Sequence, residues 1–557
     1  MPLDVVGQDD PAECAKYAKE HGLLDTSGWK RFKRLARRSK KMERMAKHAA
    51  MASKRRGPIY HFGVQVPRKE KEARELDKKY EEKGLEPKWR EAEKTEIDQL
   101  NTYNTFKNHG RKPIPRNYKF IKVFFVYAVK HDLRHKARLV AGGHMTEDKG
   151  DSYSSVISLK GMRIAIMMGE VNDLKSMVGD VGNAYLEAFT KEKVCFIAGA
   201  AFGELEGCVL IIVKALYGLR TSGARFHERF ADTLRDLGFS PCMNEPDLWI
   251  RDAGDHYEYV CVYVDDLLAI MKDPEEFFKL LVEEYHYKLK GVEAPQYHLG
   301  GNYFRDPDGT LAWGAQKYVS RLLENFEREE GVVPPKYRSP LEKNSHPELD
   351  TSEPLSLVGI KKYQSLIGAL QWCVTLGRFD IQCAVMTMSR FRAEPTKGHW
   401  KMLERILGYL RHTKDTAIRF RTEKPNYDHL RVSTYDWDHS VYKGVTEDIP
   451  DNALPPKGKS VRLSTYVDAN LLHCRATGRA ASGILHLIND TPIDWFSKLQ
   501  GTVEAATYGS EFMAARLATQ QIIDLRITLR YMGVPIGGSA WLFGDNESVI
   551  KSSIIPS

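Results

Sequence analysis

Two adjacent acids, Asp265 and Asp266, lie between apolar, strand-prone runs, with VCVYV before them and LLAIM after them. This order predicts a tight hairpin with both carboxylates at its tip. Because neighbouring carboxylates repel each other, a site that keeps both charged usually holds divalent cations. Two-metal nucleotidyl transfer needs a further acid from another strand, and Asp180, at the end of a short apolar stretch, is the best candidate. A pair of aspartates is also ordinary turn chemistry, so this short motif alone decides little.

Length, charge and cysteine usage limit the protein class. The 557 residues are too many for one core and predict three or four domains. A net charge of +9 favours a polyanionic partner without proving one. The eight cysteines form no CxxC pair, which predicts reduced core thiols and no zinc knuckle. No apolar run approaches the roughly 20 residues that span a bilayer, and the N-terminus lacks a signal-peptide core, so we expect an intracellular protein without a membrane segment.

The N-terminal hundred residues are highly charged. A basic arm is predicted within residues 1–57, and its run Trp29–Arg56 is interpreted equally well as a solvated helix or as a nucleic-acid contact, with nuclear localisation a weaker option. Residues 58–115 form a charged helical connector, with a helix pair interrupted at Gly84 and Pro87.

From residue 116 the pattern alternates strand-like runs and amphipathic helices, which predicts an αβ domain to about residue 290. A linker is predicted at residues 424–460 and a second αβ domain at residues 461–557. Strands are predicted at Val123–Val129, Val209–Val213 and Tyr259–Val264, and helices at Phe226–Leu237, after the N-cap Asp273, and around Glu511–Tyr531.

Five sequence blocks occur along the chain in the order HKARLVAGGH, GDVGNAYL, KALYGLRTSGARF, YVDD and YHLGGNY. Together and in this order, they resemble the reverse transcriptases of copia-type retrotransposons, particularly the algal branch. The resemblance implies an α+β fold in which a right-hand polymerase of fingers, palm and thumb precedes a ribonuclease H-like αβ domain. It places fingers and palm at residues 116–290, a primer grip and thumb-like region at residues 291–345, and a helical connection at residues 346–423.

The resemblance also implies roles for individual residues. Asp180, Asp265 and Asp266 would hold two Mg²⁺ ions, with Mn²⁺ as an alternative, and the Val181 carbonyl would assist. Other positions keep structural alternatives, such as a solvent-facing basic pair, a core tyrosine or a plain turn. These are Lys136, Arg138, Tyr185, Gly218 and Arg220 for the nucleotide, and Leu299, Gly300 and Gly301 for the primer grip. The sequence has LYGL where retroviral enzymes have LPQG, which leaves the nucleotide contacts of this motif open.

The C-terminal residues resemble the ribonuclease H of the same elements through TYVDAN, TGRAASG, PIDWFSKLQ, TVEAATYGSEF and FGDNESV. The resemblance implies a mixed five-stranded sheet and a second pair of Mg²⁺ ions on Asp468, Glu511 and Asp545. Glu504 is the rival of Glu511, but only Glu511 precedes the family's aromatic residue, here Phe512. The family carries a fourth catalytic residue further downstream, so the resemblance predicts a C-terminally truncated nuclease.

The expected function is that of an RNA-directed DNA polymerase of a copia-type element. Its partners would be an RNA template, a DNA or tRNA primer, deoxynucleoside triphosphates and RNA–DNA hybrid, in cytoplasmic particles or the nucleus, and self-association is left open. The alternative is a degenerate or co-opted fragment that binds nucleic acid without catalysis. A cellular enzyme such as telomerase is a weaker rival, because the nuclease motifs follow in the same chain.

Overall fold

The computed structural model describes residues 59–61, 63–130, 133–146, 152–430 and 446–554. The predicted basic arm, including Trp29–Arg56, lies outside the described residues. Within them, no helix is both long and apolar enough to cross a membrane.

Residues 59–146 contain two α-helices and two antiparallel strand pairs that lie wholly within this range. The predicted helix pair is confirmed, because α1 ends at Glu81, α2 begins at Lys88, and Pro87 occupies the N-cap position of α2. The predicted strand at Val123–Val129 is also confirmed. The elements are β1 (Ile59–His61), β2 (Val64–Val66), α1 (Glu70–Glu81), α2 (Lys88–Thr102), β3 (Phe106–Asn108), β4 (Lys119–Phe120), β5 (Val123–Val129) and β6 (His135–Ala141).

Residues 152–293 supply a six-stranded antiparallel sheet, here called the central sheet, with strand order β10-β11-β12-β13-β7-β14. Asp273 caps α6 by accepting a hydrogen bond from the Glu276 backbone N–H, as predicted. The elements are α3 (Leu159–Val171), β7 (Lys175–Val181), α4 (Ala184–Glu187), β8 (Val194–Ile197), β9 (Val209–Ile212), α5 (Ser222–Asp236), β10 (Ser240–Pro241), β11 (Leu248–Asp252), β12 (Tyr257–Tyr263), β13 (Asp266–Met271), α6 (Pro274–Glu283) and β14 (Leu289–Glu293).

Residues 297–430 form a small sheet and a helical bundle. The sheet has strand order β15-β16-β17-β18, and α7 packs with both α8 and α10. The predicted boundary between residues 345 and 346 therefore falls inside one helical bundle. The elements are β15 (Tyr297–His298), β16 (Gly301–Arg305), β17 (Leu311–Gly314), α7 (Gln316–Glu330), α8 (Leu357–Thr375), α9 (Gln382–Ser389), α10 (Lys397–His412) and β18 (Ala417–Arg419).

Residues 446–554 form the C-terminal sheet, with strand order β21-β20-β19-β22, in which β19 and β22 are parallel. Four strands are present among the described residues, where the resemblance implies five; the nearest further pairing is a single parallel bridge between Val461 and Ile536. The described parts of the predicted linker, 424–430 and 446–460, contain neither helix nor strand. The elements are β19 (Leu463–Cys474), β20 (Arg479–Ile488), β21 (Thr491–Leu499), α11 (Thr507–Tyr531), β22 (Trp541–Phe543) and α12 (Glu547–Ile554).

The chain divides into two compact units. Of the described residues, the first contains those up to Thr146 together with Lys193–Ile212 and Tyr217–Leu219, and the second contains the others. The central sheet, the helical bundle and the C-terminal sheet all belong to the second unit. One continuous cluster of buried apolar side chains runs through all three, as Ile164, Trp313, Leu370, Ile493 and Leu529 illustrate. Burial of shared apolar surface therefore holds these three layers together.

Candidate active sites

The hairpin between β12 and β13 carries two of the predicted acids. Tyr263 pairs with Asp266, so Val264 and Asp265 form a two-residue turn. Val264 has φ +58°, in the left-handed region that a β-branched residue rarely adopts. This backbone conformation is strained for valine. Backbone strain of this kind persists only where the surrounding structure fixes it, and it is common at functional sites. The predicted hairpin with both carboxylates at its tip is confirmed.

The third acid lies on the neighbouring strand. Asp180, near the end of β7, is the direct cross-strand partner of Asp266. The Val181 backbone N–H donates to the Asp265 carbonyl oxygen at 2.8 Å, which ties the end of β7 to the hairpin turn. The structure thus brings Asp180, Asp265 and Asp266, the central-sheet acids, to one end of the sheet.

Burial and the neighbouring carboxylates change the pKa of Asp266. Burial first, and then the charges of Asp265 and Asp180, together raise the pKa of Asp266 to about 6. Carboxylate oxygens are also the ligands that Mg²⁺ prefers. The donor set at this end of the sheet therefore fits divalent cations, which would relieve the repulsion between the acids.

A lysine lies on the strand that pairs with β7 on its other side. Lys290 on β14 pairs with Asp180, and its Nζ would lie 3.4 Å from a Cβ placed at Gly182. Lys290 thus lies on the strand next to Asp180, and its ammonium group lies close to Gly182. Nothing local in the sequence indicates Lys290, because its position depends on β14 pairing with β7 across a separation of more than a hundred residues.

The raised pKa of Asp266 predicts a pH-dependent stability. Because the folded pKa is above the ordinary value of 3.8, the stabilising contribution is complete below about pH 4 and is lost as the pH rises through about 6. Asp266→Asn should therefore stabilise the metal-free protein at pH 8 by on the order of 1 kcal/mol, a value discounted for partial solvent exposure. Near pH 4.5 the variant should have little effect.

Urea unfolding at both pH values, with and without Mg²⁺, measures the difference in the free energy of unfolding between Asp266→Asn and the wild type. At pH 8, Mg²⁺ should reduce the advantage of the variant. The matched control is Asp273→Asn, since asparagine also caps a helix. Equal destabilisation by Asp266→Asn at both pH values would show that Asp266 is an ordinary structural residue.

The residues predicted to face the triphosphate belong to the first unit. Lys136 and Arg138 are half-buried on β6, and the Arg138 guanidinium lies 3.9 Å from the centroid of the Tyr217 ring. Gly218 has φ +90°, and a Cβ there would collide with the Ala141 carbonyl oxygen. The LYGL motif therefore packs directly against β6, and only glycine fits at position 218. Arg220 belongs to the second unit, as the central-sheet acids do.

Tyr185 lies on the short helix α4. Its ring is half-buried, packs against the apolar core beneath the central sheet, and lies 6.4 Å from the ring of Phe226. One part of the side chain thus contacts the core and another faces solvent. Both predicted roles, core tyrosine and sugar contact, are compatible with this position.

The predicted primer grip is a two-residue turn between β15 and β16. Leu299 and Gly300 both have positive φ, at +46° and +88°. A Cβ on Gly300 would lie 3.2 Å from Leu376 and 3.4 Å from the Trp372 indole nitrogen, so the turn rests against α8. A Cβ on Gly301 would collide with Trp313. These contacts explain the glycines structurally, and contact with a primer stays a prediction.

The acids predicted for the nuclease, here the C-terminal acids, come together from three elements. Asp468 is on β19, Glu511 on α11 and Asp545 just after β22, and their ligand oxygens lie within 4.8 Å of one another. In the described part of the chain this closeness is found for these acids and not for the central-sheet acids. Burial first, and then the charges of Asp468 and Asp545, together raise the pKa of Glu511 to about 7. A divalent cation fits this set of carboxylates.

The geometry distinguishes Glu511 from its rival. Glu504 precedes α11, and its carboxylate accepts a hydrogen bond from the Thr502 hydroxyl at 2.8 Å. Glu511 faces the other two acids from the first turns of the helix.

A cavity of about 620 Å³ adjoins the C-terminal acids and is lined by Asp468 and Asp545. Part of its wall comes from the helical bundle, through Phe379, Gln382 and Cys383. The sequence does not indicate these three residues, since they are about 85 residues or more before Asp468 and reach the site only through packing between layers.

Residues 102–334 match the model of the family described as "Reverse transcriptase (RNA-dependent DNA polymerase)". The retrovirus-related Pol polyprotein from transposon TNT 1-94 of Nicotiana tabacum is 25% identical over 460 residues, which is 80% of this chain and 32% of that protein. The putative transposon Ty5-1 protein YCL074W of Saccharomyces cerevisiae is 26% identical over 309 residues, 55% of this chain and 87% of that protein. The Pol polyprotein from transposon RE1 of Arabidopsis thaliana is 24% identical over 472 residues, 82% of this chain and 29% of that protein.

These matches and the central-sheet hairpin define a reverse transcriptase domain at residues 102–334. Over a larger part of its length the chain is similar to the retrovirus-related Pol polyproteins of plant transposons. It spans about a third of the length of the tobacco and Arabidopsis polyproteins named above. Assignment to the algal branch stays a prediction.

Proposed function

We propose that this chain copies RNA into DNA at the central-sheet acids and cleaves the RNA strand of the resulting hybrid at the C-terminal acids. The observation that carries the polymerase proposal is the cross-strand pairing of Asp180 with Asp266, next to the strained Val264–Asp265 turn, inside the family-matched region. In this proposal the central sheet is the palm, the first unit includes the fingers, and the helical bundle is thumb and connection.

In the polymerase, Asp180 and Asp265 would be the principal ligands of two Mg²⁺ or Mn²⁺ ions, with Asp266 and the Val181 carbonyl assisting. Bound there, the ions would activate the primer's 3′ oxygen and stabilise the leaving pyrophosphate. Asp266, with its raised pKa, would lose its proton as cations bind. Lys136, Arg138 and Arg220 would supply cationic donors to the triphosphate.

In the nuclease, Asp468, Glu511 and Asp545 would hold two further ions, which direct water at an RNA phosphate. Their close ligand oxygens and the adjoining cavity support this assignment. Glu511, whose pKa is about 7 without metal, would be deprotonated on metal binding, so cleavage should require more Mg²⁺ at acidic pH.

The partners would be an RNA template, a DNA or tRNA primer, deoxynucleoside triphosphates and RNA–DNA hybrid. We place the protein inside the cell, in cytoplasmic particles or the nucleus. Primer extension on a defined RNA template with Mg²⁺ tests the proposal. Duplex binding without extension would indicate the alternative, a co-opted fragment that binds nucleic acid without catalysis.

Tyr185 is predicted to select deoxynucleotides. A ring beneath the sugar would clash with a 2′-hydroxyl, and such a clash discriminates against the wrong substrate. Tyr185→Val should open that space, so that the ratio of kcat/KM for deoxynucleotides to that for ribonucleotides falls by roughly tenfold or more. Deoxynucleotide use should fall modestly through lost packing against the core.

The matched control is Tyr185→Phe, which keeps the ring and should keep the discrimination. If Tyr185→Val lowers stability and total activity while the ratio stays constant, the residue is a core tyrosine.

A further inference from the structure

A buried arginine on the helix that packs on the central sheet bonds to both the helical bundle and the C-terminal sheet. Arg163 is on α3 and is 3% exposed. Its Nε donates to the Ile493 carbonyl oxygen at 2.7 Å, and its Nη1 donates to the Thr375 carbonyl oxygen at 3.1 Å. One side chain therefore links α3, the end of α8 and strand β21. Burial lowers the pKa of Arg163 to about 10, so the group stays charged at neutral pH.

The partners of Arg163 connect it to both acid clusters. Helix α3 lies against β7, β12 and β13, which carry or flank the central-sheet acids. A Cβ on Gly169 of α3 would collide with Ile270 of β13, which shows how closely helix and sheet approach. The same helix contacts β21, the edge strand of the C-terminal sheet.

On the C-terminal side the guanidinium lies 4.2 Å from the ring of Trp495. Trp495 also packs on Phe379, with ring centroids 5.2 Å apart, and both rings line the cavity beside Asp468 and Asp545. Arg163 is thus separated from the C-terminal site by a single side chain. A desolvated cation over an indole ring is a strong and directional contact.

Two further polar pairs link the central-sheet region to the C-terminal helix α11 near Arg163. Lys160, one turn before Arg163, is 2.9 Å from Asp524 of α11, and Asn244 donates to the Thr528 hydroxyl at 2.6 Å. The Lys160–Asp524 pair is more exposed than Arg163 and therefore contributes less than a buried network.

We propose that Arg163 is a positioning residue that fixes the C-terminal sheet against the central sheet and thereby sets the spacing between the primer terminus and the RNA phosphate that is cut. This inference rests on the proposed function. It predicts that one chain acts at both sites on the same hybrid, with cuts at a constant distance behind the growing end. Weakening the contact between Arg163 and the C-terminal sheet should broaden the range of RNA cleavage positions, while primer extension continues.

The first test uses Arg163→Met, which keeps the length of the side chain and removes its donors and charge. On a hybrid with 5′-labelled RNA and an extended primer, the wild type should cut in one narrow cluster. In the variant the rate at that cluster should fall by roughly ten- to a hundredfold, since misplacement by about 1 Å can cost this much. New cuts should appear on both sides, while primer extension stays within about twofold of wild type.

Arg305→Met is the matched control, because Arg305 pairs with Glu170 on the same helix at 2.8 Å and donates to the Gly309 carbonyl oxygen of its own hairpin. It should leave the cut pattern unchanged. Trp495→Leu is a second variant for use if Arg163→Met fails to fold, and it should spread the cuts in the same way. An unchanged pattern in a folded Arg163→Met or Trp495→Leu protein overturns the proposal.

A distance measurement decides the positioning independently of catalysis. Spin labels would be attached through keto amino acids at the exposed residues Lys279 and Lys498, which avoids the native cysteines. Pulsed electron resonance should give one narrow distance distribution in wild type and a broad one in Arg163→Met. A broad wild-type distribution, or no change in the variant, overturns the positioning role. A wild-type protein with a narrow distribution but no synthesis or cleavage would contradict the proposed function and not the positioning.

Discussion

Asp265→Asn is expected to lower primer extension by roughly a thousandfold or more, comparable with the loss of other groups that act as a unit at a catalytic centre. Asparagine keeps the shape of the side chain at the two-residue turn but removes the charge that would bind cations. Affinity for the template–primer should change little, because phosphate contacts by basic residues supply most of that binding. Single-turnover extension and filter binding at one fixed salt concentration measure the two effects separately.

Asp273→Asn is the control for this change, since it makes the same substitution in the same sheet region at a helix N-cap. It should extend primers as the wild type does. Extension by Asp265→Asn at the wild-type rate would contradict the assignment of the central-sheet acids.

Asp468→Asn is expected to lower cleavage of the RNA strand by a similar factor, roughly a thousandfold, and to leave primer extension intact. Asp468 contributes one of the three carboxylates whose ligand oxygens lie within 4.8 Å of each other, so its loss should weaken cation binding and misplace the attacking water. Cleavage of a labelled RNA–DNA hybrid over a range of Mg²⁺ concentrations measures the loss.

The control is Asp490→Asn in the turn between β20 and β21, where φ is +61° and asparagine is well tolerated. This variant should cleave normally. Normal cleavage by Asp468→Asn would instead show that the C-terminal acids are surface charges that happen to be close.

Features that depend on neighbouring residues could be predicted from the sequence. Apolar runs on both sides of two acids specify a hairpin, and Asp273 followed by proline specifies a helix start, as found. The pairing of Asp180 with Asp266 could be proposed only because the chemistry needs a third acid, since β7 and β13 are far apart in the chain.

Features that depend on packing between layers could not be predicted. Lys290 reaches the central-sheet acids through strand pairing, and Phe379 reaches the C-terminal cavity through contact between bundle and sheet. Arg163 is one basic residue in an apolar helix, and nothing in its sequence context indicates Trp495 as its partner. The boundary predicted between residues 345 and 346 lies between helices α7 and α8, whose packing against each other depends on contacts that the local sequence does not show.

The most direct test of RNA-directed DNA synthesis follows both strands of one substrate. The purified chain is given an RNA template with an annealed, labelled DNA primer, deoxynucleoside triphosphates and Mg²⁺, and a parallel sample contains excess chelator. We predict that the primer is extended to the end of the template with Mg²⁺ and stays at its initial length with chelator. A primer that stays unextended with Mg²⁺, although the protein binds the duplex, would contradict the account.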